Sequence, residues 1–263
     1  MCAILAAMMI MLSCAIAEEN AYKYNYDTAR SLASFMEDHY GVTILIGDEC
    51  DGIETDGFEI GDQPAGSSPL LDALGEQIGW TDYEEEIKIL DDCFSVYPPA
   101  FFEKFKCAEA ENGIRFLLPN RIIEENRTLA GLTDIQDGYY NVFLGIGAFN
   151  SINIHHEIWH AMELKITAEY PDAFADWNTL NPEGFQYSGD YFLEDYLEQA
   201  APAGDWFVRG YSTINEMEDR ATVVEAFYKY DSAWWDEHPH IQDKLGAIAT
   251  ASALIWEDMY SAE

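Results

Sequence analysis

The chain has 263 residues, of which 49% are hydrophobic, enough to form the core of one large domain or two small ones. It carries 49 acidic residues against 13 basic ones, which gives a formal net charge of −36. Because nucleic acids and anionic membrane surfaces repel such a charge, we expect neither as a partner, whereas basic substrates and bound cations are compatible with it.

The start of the chain resembles a secretory signal peptide. Residues 1–17 are apolar and uncharged, and Ala15-Ile16-Ala17 matches the small-x-small pattern of a cleavage site. The apolar run is shorter than a membrane span requires. We therefore expect a secreted protein whose mature chain begins near Glu18, with no stable membrane insertion after signal removal. The alternative is a lipoprotein anchored to a membrane through Cys14.

Three cysteines follow this segment, at Cys50, Cys93 and Cys107. Their odd number excludes a complete disulfide framework, although it is compatible with one bridge outside the cell. The chain has no C-x-x-C pattern, so a cysteine-based zinc site is not expected.

The first half of the mature chain alternates helices, strands and turns. Residues 27–39 predict a helix, and the apolar run VTILIG at 42–47 predicts a buried strand. Residues 48–68 are acidic and glycine-rich. Their aspartates do not follow the spacing of a calcium loop, so we interpret them as a solvated linker.

The following segments predict, in order, two helices over residues 69–96, a short helix over 100–107, a strand over 113–118, a turn-rich stretch over 131–138 and a strand over 139–146. The last strand directly precedes the most informative helix of the chain. It is either an ordinary core strand or the edge of a cleft, where an extended peptide could pair with it.

A helix predicted over residues 151–166 carries the H-E-x-x-H pattern at His156, Glu157 and His160. Residues four apart lie on the same face of a helix, so the two imidazoles can bind one Zn²⁺. Glu157 lies beside them as a candidate general base. His155 is offset from the pair and has no histidine four residues further on.

The same helix has features of an ordinary packed helix. Asn150 or Ser151 can cap its start. Ile154, Ile158 and Met162 form an apolar stripe that can be buried while the histidines face a cleft.

A catalytic zinc ion usually has three protein ligands and a water, so a third ligand must come from elsewhere. The metzincin continuation requires Gly at position 163 and His at position 166, where this chain has Glu163 and Ile166. The remaining common solution is a Glu from a later helix, and long helices are predicted over residues 214–230 and 238–258.

The first of these two helices offers the third ligand. Thr213 and Glu216 match a capping box with Thr213 as the N-cap residue, which gives Glu216 a structural role. Glu218 lies at the edge of the buried stripe and can reach inward, so we favour it as the ligand. Glu225 lies two turns further along that face. The alternative is that Glu218 is a surface residue whose charge stabilises the helix N-terminus.

H-E-x-x-H followed by a downstream Glu in an E-D-x-A setting resembles the gluzincin metallopeptidases. The closer resemblance is to the anthrax lethal factor-like branch and related secreted zinc-binding peptidases, and it covers roughly residues 139–228. In that branch a Tyr seven residues before the ligand Glu assists the reaction. Carried over position by position, the resemblance assigns the three zinc ligands to His156, His160 and Glu218. It assigns the general base to Glu157 and the auxiliary acid to Tyr211.

One position departs from the gluzincin pattern. Gluzincins often carry an acidic residue four positions after the ligand Glu, and this chain has Thr222 there. Orientation of the ligand histidines is then left to Glu163, Asp219, Glu225 or a backbone carbonyl.

Together these observations predict an α+β, zincin-like metallopeptidase with a small mixed sheet packed on the motif helix. Residues 18–263 are expected to form a single domain, with an α+β part at 18–150 and a mostly helical part at 151–263 that carries the zinc site. The predicted function is secreted, zinc-dependent hydrolysis of a peptide or protein substrate, with one Zn²⁺ per chain. Two rival hypotheses are a degenerate zincin-fold protein that binds a peptide or partner, and an acidic metal-storage or structural protein.

Overall fold

The computed structural model describes residues 26–55, 57–61, 83–98, 100–124, 127–189 and 203–257. The predicted signal peptide and the first helix predicted within 69–96 lie outside these residues. The helices are α1 (26–40), α2 (Tyr83–Phe94), α3 (Ser151–Glu169), α4 (Glu216–Lys229), α5 (Ser232–Glu237) and α6 (Pro239–Ser252). The strands are β1 (Thr43–Ile46), β2 (Glu59–Gly61), β3 (Gly113–Leu118), β4 (Arg121–Glu124), β5 (Arg127–Leu129), β6 (Gly131–Gln136) and β7 (Tyr139–Leu144).

These strands form two small sheets. The larger has the order β1–β3–β7–β6, in which β1, β3 and β7 are parallel and β6 is antiparallel to β7. The smaller is antiparallel, with the order β2–β4–β5. The α+β class with a small mixed sheet is therefore confirmed, and β1, β3 and β7 match the three strands predicted from the sequence.

Strand β3 runs through the core, and all six of its residues are buried. Ile114 and Phe116 face the main hydrophobic core with the helices, while Leu117 packs with Phe143 and Phe58 in a second cluster on the opposite face. A strand that is buried on both faces is a nearly continuous apolar run, which explains why its bounds could be predicted.

The prediction of a turn-rich stretch over 131–138 is wrong, because Gly131–Gln136 forms strand β6. Gly and Asp are poor strand formers, but pairing along the whole length of β7 overrides their local preference. As a result β7 is an interior strand, and β6 forms the edge of the sheet.

The two edges of the larger sheet differ. At the β1 edge, Arg30 donates to the Ile44 carbonyl (2.6 Å), and the backbone N–H groups of Ile44 and Ile46 donate to Glu37 (2.8 Å) and Glu49 (3.0 Å). These side chains block the addition of another strand there. Among the described strands, β6 pairs with β7 alone, and its inner face lies against α3.

Helix α3 lies between the larger sheet and α4. The side chain of Asn150 caps it by accepting from two backbone N–H groups of the first turn, at 2.9 and 3.3 Å. Ile154, Ile158 and Met162 are fully buried, as the apolar stripe predicted. None of the helices in the described ranges is long and apolar enough to cross a membrane.

The predicted cap of α4 is wrong by two residues. Asn215 is the N-cap residue, and its Oδ1 accepts from the backbone N–H of Glu218 at 2.9 Å. Thr213 instead ends a short 3-10 helix, Gly210–Thr213, where its hydroxyl donates to the Gly210 carbonyl. Glu216 is free of the capping role, and it accepts from Asn178 at 2.5 Å. Thr and Asn are both good N-cap residues, so the local sequence fits two registers.

Cys50, Cys93 and Cys107 are all free thiols. Cys50 and Cys93 are buried, and burial raises the pKa of each thiol to about 12. The single bridge that the sequence left open is therefore absent, and the fold depends on its packed core.

Candidate metal centre

Three side chains from two helices converge at one buried point. His156 and His160 come from α3, and Glu218 comes from the first turn of α4. The Nε2 atoms of the two imidazoles lie 3.0 Å apart, and Glu218 Oε2 lies 3.1 Å from His156 Nε2 and 3.5 Å from His160 Nε2. No other described residues bring three potential ligands together in this way.

The spacing of these three atoms fits a tetrahedral metal ion. With ligand bonds of about 2.0–2.1 Å, the edges of such a tetrahedron are about 3.3 Å long, close to the observed distances. Glu218 Oε2 is buried and receives no well-oriented hydrogen bond from the described residues. Two imidazole nitrogens and a carboxylate oxygen are also the donor set typical of zinc. The residues present therefore fit a zinc ion.

The electrostatics of the site also favour a cation. Burial lowers the pKa of His156, but Glu218 and Glu225 outweigh burial and raise the pKa to about 10. Burial raises the pKa of Glu218, but the two histidines outweigh it and hold that pKa below its usual range. The raised pKa of His156 reports a negative potential from the two carboxylates at its ring, and the same potential attracts a divalent cation.

Glu157 points from α3 toward the edge strand β6. Its carboxylate accepts a hydrogen bond from the Thr133 hydroxyl at 2.8 Å, and its burial raises its pKa. A methyl group on Gly131 would lie 2.6 Å from the Glu157 side chain, closer than any normal contact. Gly131 therefore provides the space for this carboxylate, and Thr133 fixes its direction.

Tyr211 lies in the 3-10 helix that leads into α4. Its ring centroid is 6.2 Å from that of His156, and the guanidinium of Arg209 lies over the Tyr211 ring, 4.7 Å from the ring centroid. Tyr211 thus lies beside the triangle formed by the metal-facing atoms of His156, His160 and Glu218 (the ligand triangle), although it is distant in sequence from the motif helix.

Among the candidates for orienting a ligand histidine, Glu225 contacts one. The Nδ1–H group of His156 donates to Glu225 Oε1 at 2.7 Å. Glu163 instead pairs with Arg220 at 2.6 Å, and Asp219 forms a fully buried ion pair with Lys244 at 2.7 Å. No described residue hydrogen-bonds the buried Nδ1 atom of His160.

His155 does not belong to the site. Its Nδ1 atom lies 2.8 Å from the Tyr97 hydroxyl, and its ring stacks on Tyr228 at 3.6 Å between centroids. Burial lowers its pKa to about 4, so the ring is neutral and part of the core. This agrees with its offset from the ligand pair in the sequence.

The sequence did not identify two residues that the structure places at the site. Thr133 lies in the stretch that was interpreted as turns, so no helix or strand pattern linked it to Glu157. Arg209 precedes Tyr211 by two residues, in a region without periodicity. The one available signal for Arg209 was the rarity of basic residues in so acidic a chain.

No protein-family model and no curated protein matches this chain. A crystal structure described as a "putative zinc-binding metallo-peptidase" from Bacteroides caccae ATCC 43185 is similar in fold, with a TM-score of 0.52. The likeness covers 91% of this chain and 88% of that chain, with 18% identical residues.

At that identity the likeness concerns the fold alone, and it agrees with the predicted α+β fold. The closer relation to the lethal factor-like branch stays a prediction.

Proposed function

We propose that this chain is a zinc-dependent peptidase that hydrolyses peptide bonds, with one Zn²⁺ held by His156, His160 and Glu218. The observation that carries the proposal is the buried triangle of ligand atoms, 3.0 to 3.5 Å apart, beside the Glu157 carboxylate. The description of the B. caccae protein of similar fold agrees with it.

When bound, zinc lowers the pKa of a water toward neutrality and polarises a carbonyl. Glu157 takes the proton of the attacking water and passes it to the leaving amine. Its raised pKa suits this exchange, because a carboxylate of higher pKa is a stronger base toward the water. Tyr211 donates a hydrogen bond to the oxyanion that develops on the substrate.

The geometry beside the site supports a peptide substrate. An extended peptide can add to the edge strand β6, whose Gly131 and Thr133 face Glu157. Such pairing brings a backbone carbonyl close to the base. We therefore propose a peptide or protein substrate. The apolar residues 1–17 support action outside the cytoplasm.

A second candidate function is a zinc-bearing module that binds a peptide or partner without cleaving it. The observation in its favour is the lack of an acidic residue at Thr222, together with the buried His160 Nδ1 atom that no described residue hydrogen-bonds. A weakly oriented ligand lowers the affinity for metal and the rate of reaction.

The deciding experiment measures metal content and cleavage on the same preparation. Elemental analysis is expected to find about one zinc per chain. A mixed peptide library should be cleaved, and a chelator should stop the cleavage. A chain that neither contains nor takes up zinc contradicts the proposal. Bound zinc and retained peptides without any cleavage favour the binding module.

Tyr211→Phe is expected to lower turnover by about 10- to 1,000-fold while zinc stays bound. Loss of one oxyanion donor costs about 2–4 kcal/mol, and polarisation of the carbonyl by the metal remains. Steady-state kinetics on zinc-loaded protein checks this, and a substitution of the exposed Tyr170 serves as the control. Unchanged turnover would remove Tyr211 from the reaction.

Gly131→Ala is expected to lower turnover by about 100-fold without unfolding the chain. The added methyl group meets the flexible Glu157 side chain, which can rotate away, so the carboxylate is displaced while the backbone stays in place. Gly246→Ala is the matched control, because a methyl group there meets nothing within 4 Å. Equal activity of the two variants would show that the position of Glu157 is not critical.

A further inference from the structure

Glu225 lies two turns after Glu218 on α4, and its carboxylate is almost fully buried. Its Oε1 atom accepts from the Nδ1–H group of His156 and from Nη2 of Arg209, both at 2.7 Å, and its Oε2 atom accepts from Nε of Arg209 at 3.1 Å. Each oxygen therefore has a charged or ring N–H donor, and the bidentate arrangement fixes the plane of the carboxylate.

Arg209 is itself held by its surroundings. Its guanidinium lies over the Tyr211 ring at 4.7 Å, and its backbone N–H donates to the Ser212 hydroxyl at 3.2 Å. That hydroxyl lies 2.7 Å from the hydroxyl of Thr222. Thr222 occupies the position where gluzincins often have an acid. Its hydroxyl supports the segment that carries Arg209, and no hydrogen bond to a histidine is among its contacts in the described residues.

We propose that Glu225, held by Arg209, is the positioning residue of the ligand His156, and that this pair takes the place of an acidic residue at position 222. The inference rests on the zinc site of the proposed function. A carboxylate on Nδ1–H keeps the imidazole in the tautomer whose Nε2 lone pair faces the metal, and it makes that nitrogen a stronger donor. His160, whose Nδ1 atom lacks such a bond among the described residues, depends on the metal for its orientation.

The chain offers a closely matched control in Glu163. This carboxylate is also buried, accepts from Arg220 at 2.6 Å and accepts from the ring N–H of Trp159 at 3.0 Å. It differs from Glu225 in contacting no member of the ligand triangle. If Glu225 had only a structural role, substitution of Glu225 and of Glu163 would have the same effect on zinc affinity. If Glu225 positions His156, only its own substitution lowers that affinity.

The test compares Glu225→Gln with Glu163→Gln. Zinc dissociation constants would be measured by competition with a chromophoric chelator, and the visible spectrum of the Co²⁺-loaded chain would report ligand geometry. Glu225→Gln is expected to weaken zinc binding by about 10- to 100-fold and to alter the Co²⁺ spectrum, as the loss of outer-shell partners does in other zinc sites. Glu163→Gln should change neither quantity.

Arg209→Met keeps the inference testable if Glu225→Gln does not fold. Its side chain is partly exposed, so its loss is tolerated more easily than that of the buried carboxylate. It should weaken zinc binding in the same direction, and the double variant should bind zinc like Glu225→Gln alone, because both changes act through one carboxylate.

The outcomes separate the inference from the proposed function. A wild-type chain without zinc affinity overturns the proposed function and the inference with it. Zinc binding by the wild type that is unchanged in Glu225→Gln and Arg209→Met overturns the inference alone. Equal losses in Glu225→Gln and Glu163→Gln also overturn it, since they indicate a general structural role.

Discussion

Glu157→Gln is expected to retain zinc and the fold. Its rate of peptide hydrolysis should fall by at least about 10²- to 10⁴-fold, the range that general bases contribute. The substitution replaces one carboxylate oxygen with an amide nitrogen of nearly the same size. The amide oxygen can still accept from Thr133, so the contact with β6 is kept. What disappears is the group that takes a proton from water.

The structure explains why zinc should stay bound in this variant. The three atoms of the ligand triangle belong to other residues, and the Glu157 carboxylate is held by Thr133 of the edge strand. Metal analysis, thermal unfolding and turnover would be compared with those of Glu163→Gln, which changes another buried carboxylate of α3. Cleavage that survives both Glu157→Gln and a chelator would refute the metallopeptidase mechanism.

Glu218→Ala is expected to weaken zinc binding far more than the substitution of a residue that contacts only a ligand side chain, such as Glu225. It removes one of the three proposed protein ligands, so the loss should exceed the roughly 10- to 100-fold that the loss of an outer partner costs. The helix should survive, because the cap of α4 uses the backbone N–H of Glu218 and the side chain of Asn215.

Glu216→Ala is the matched control for that experiment. It removes a carboxylate from the same turn of α4, but one that is partly exposed and that accepts a hydrogen bond from Asn178. Competition with a chelator should show near-normal zinc affinity for Glu216→Ala. The reverse order of affinities would move the third ligand from Glu218 to Glu216.

The features of the candidate site that the sequence indicated are those fixed by local periodicity. The spacing of His156 and His160 places both rings on one helix face, whatever surrounds the helix. The buried stripe of α4 likewise indicated that Glu218 faces inward, and the structure places it against both histidines. Core strands such as β3 were recognisable because burial on both faces leaves a nearly unbroken apolar run.

Errors arose where two local solutions have similar free energies. Thr213 and Asn215 can each cap a helix, and the fold selects Asn215 because a 3-10 turn already uses Thr213. Residues 131–136 have the composition of turns, yet pairing with β7 supplies the hydrogen bonds that make them a strand. Such choices depend on partners that no short window of sequence contains.

The sequence by itself determined which side chains are available to the candidate site: two imidazoles one helical turn apart, an adjacent carboxylate and a later inward-facing glutamate. Only the tertiary structure decided how that chemistry is oriented. The bond from His156 to Glu225 spans 69 residues, and the bond from Thr133 to Glu157 spans 24. Such contacts form when separate elements pack together, so their partners follow from the shape of the core and not from the periodicity of any one element.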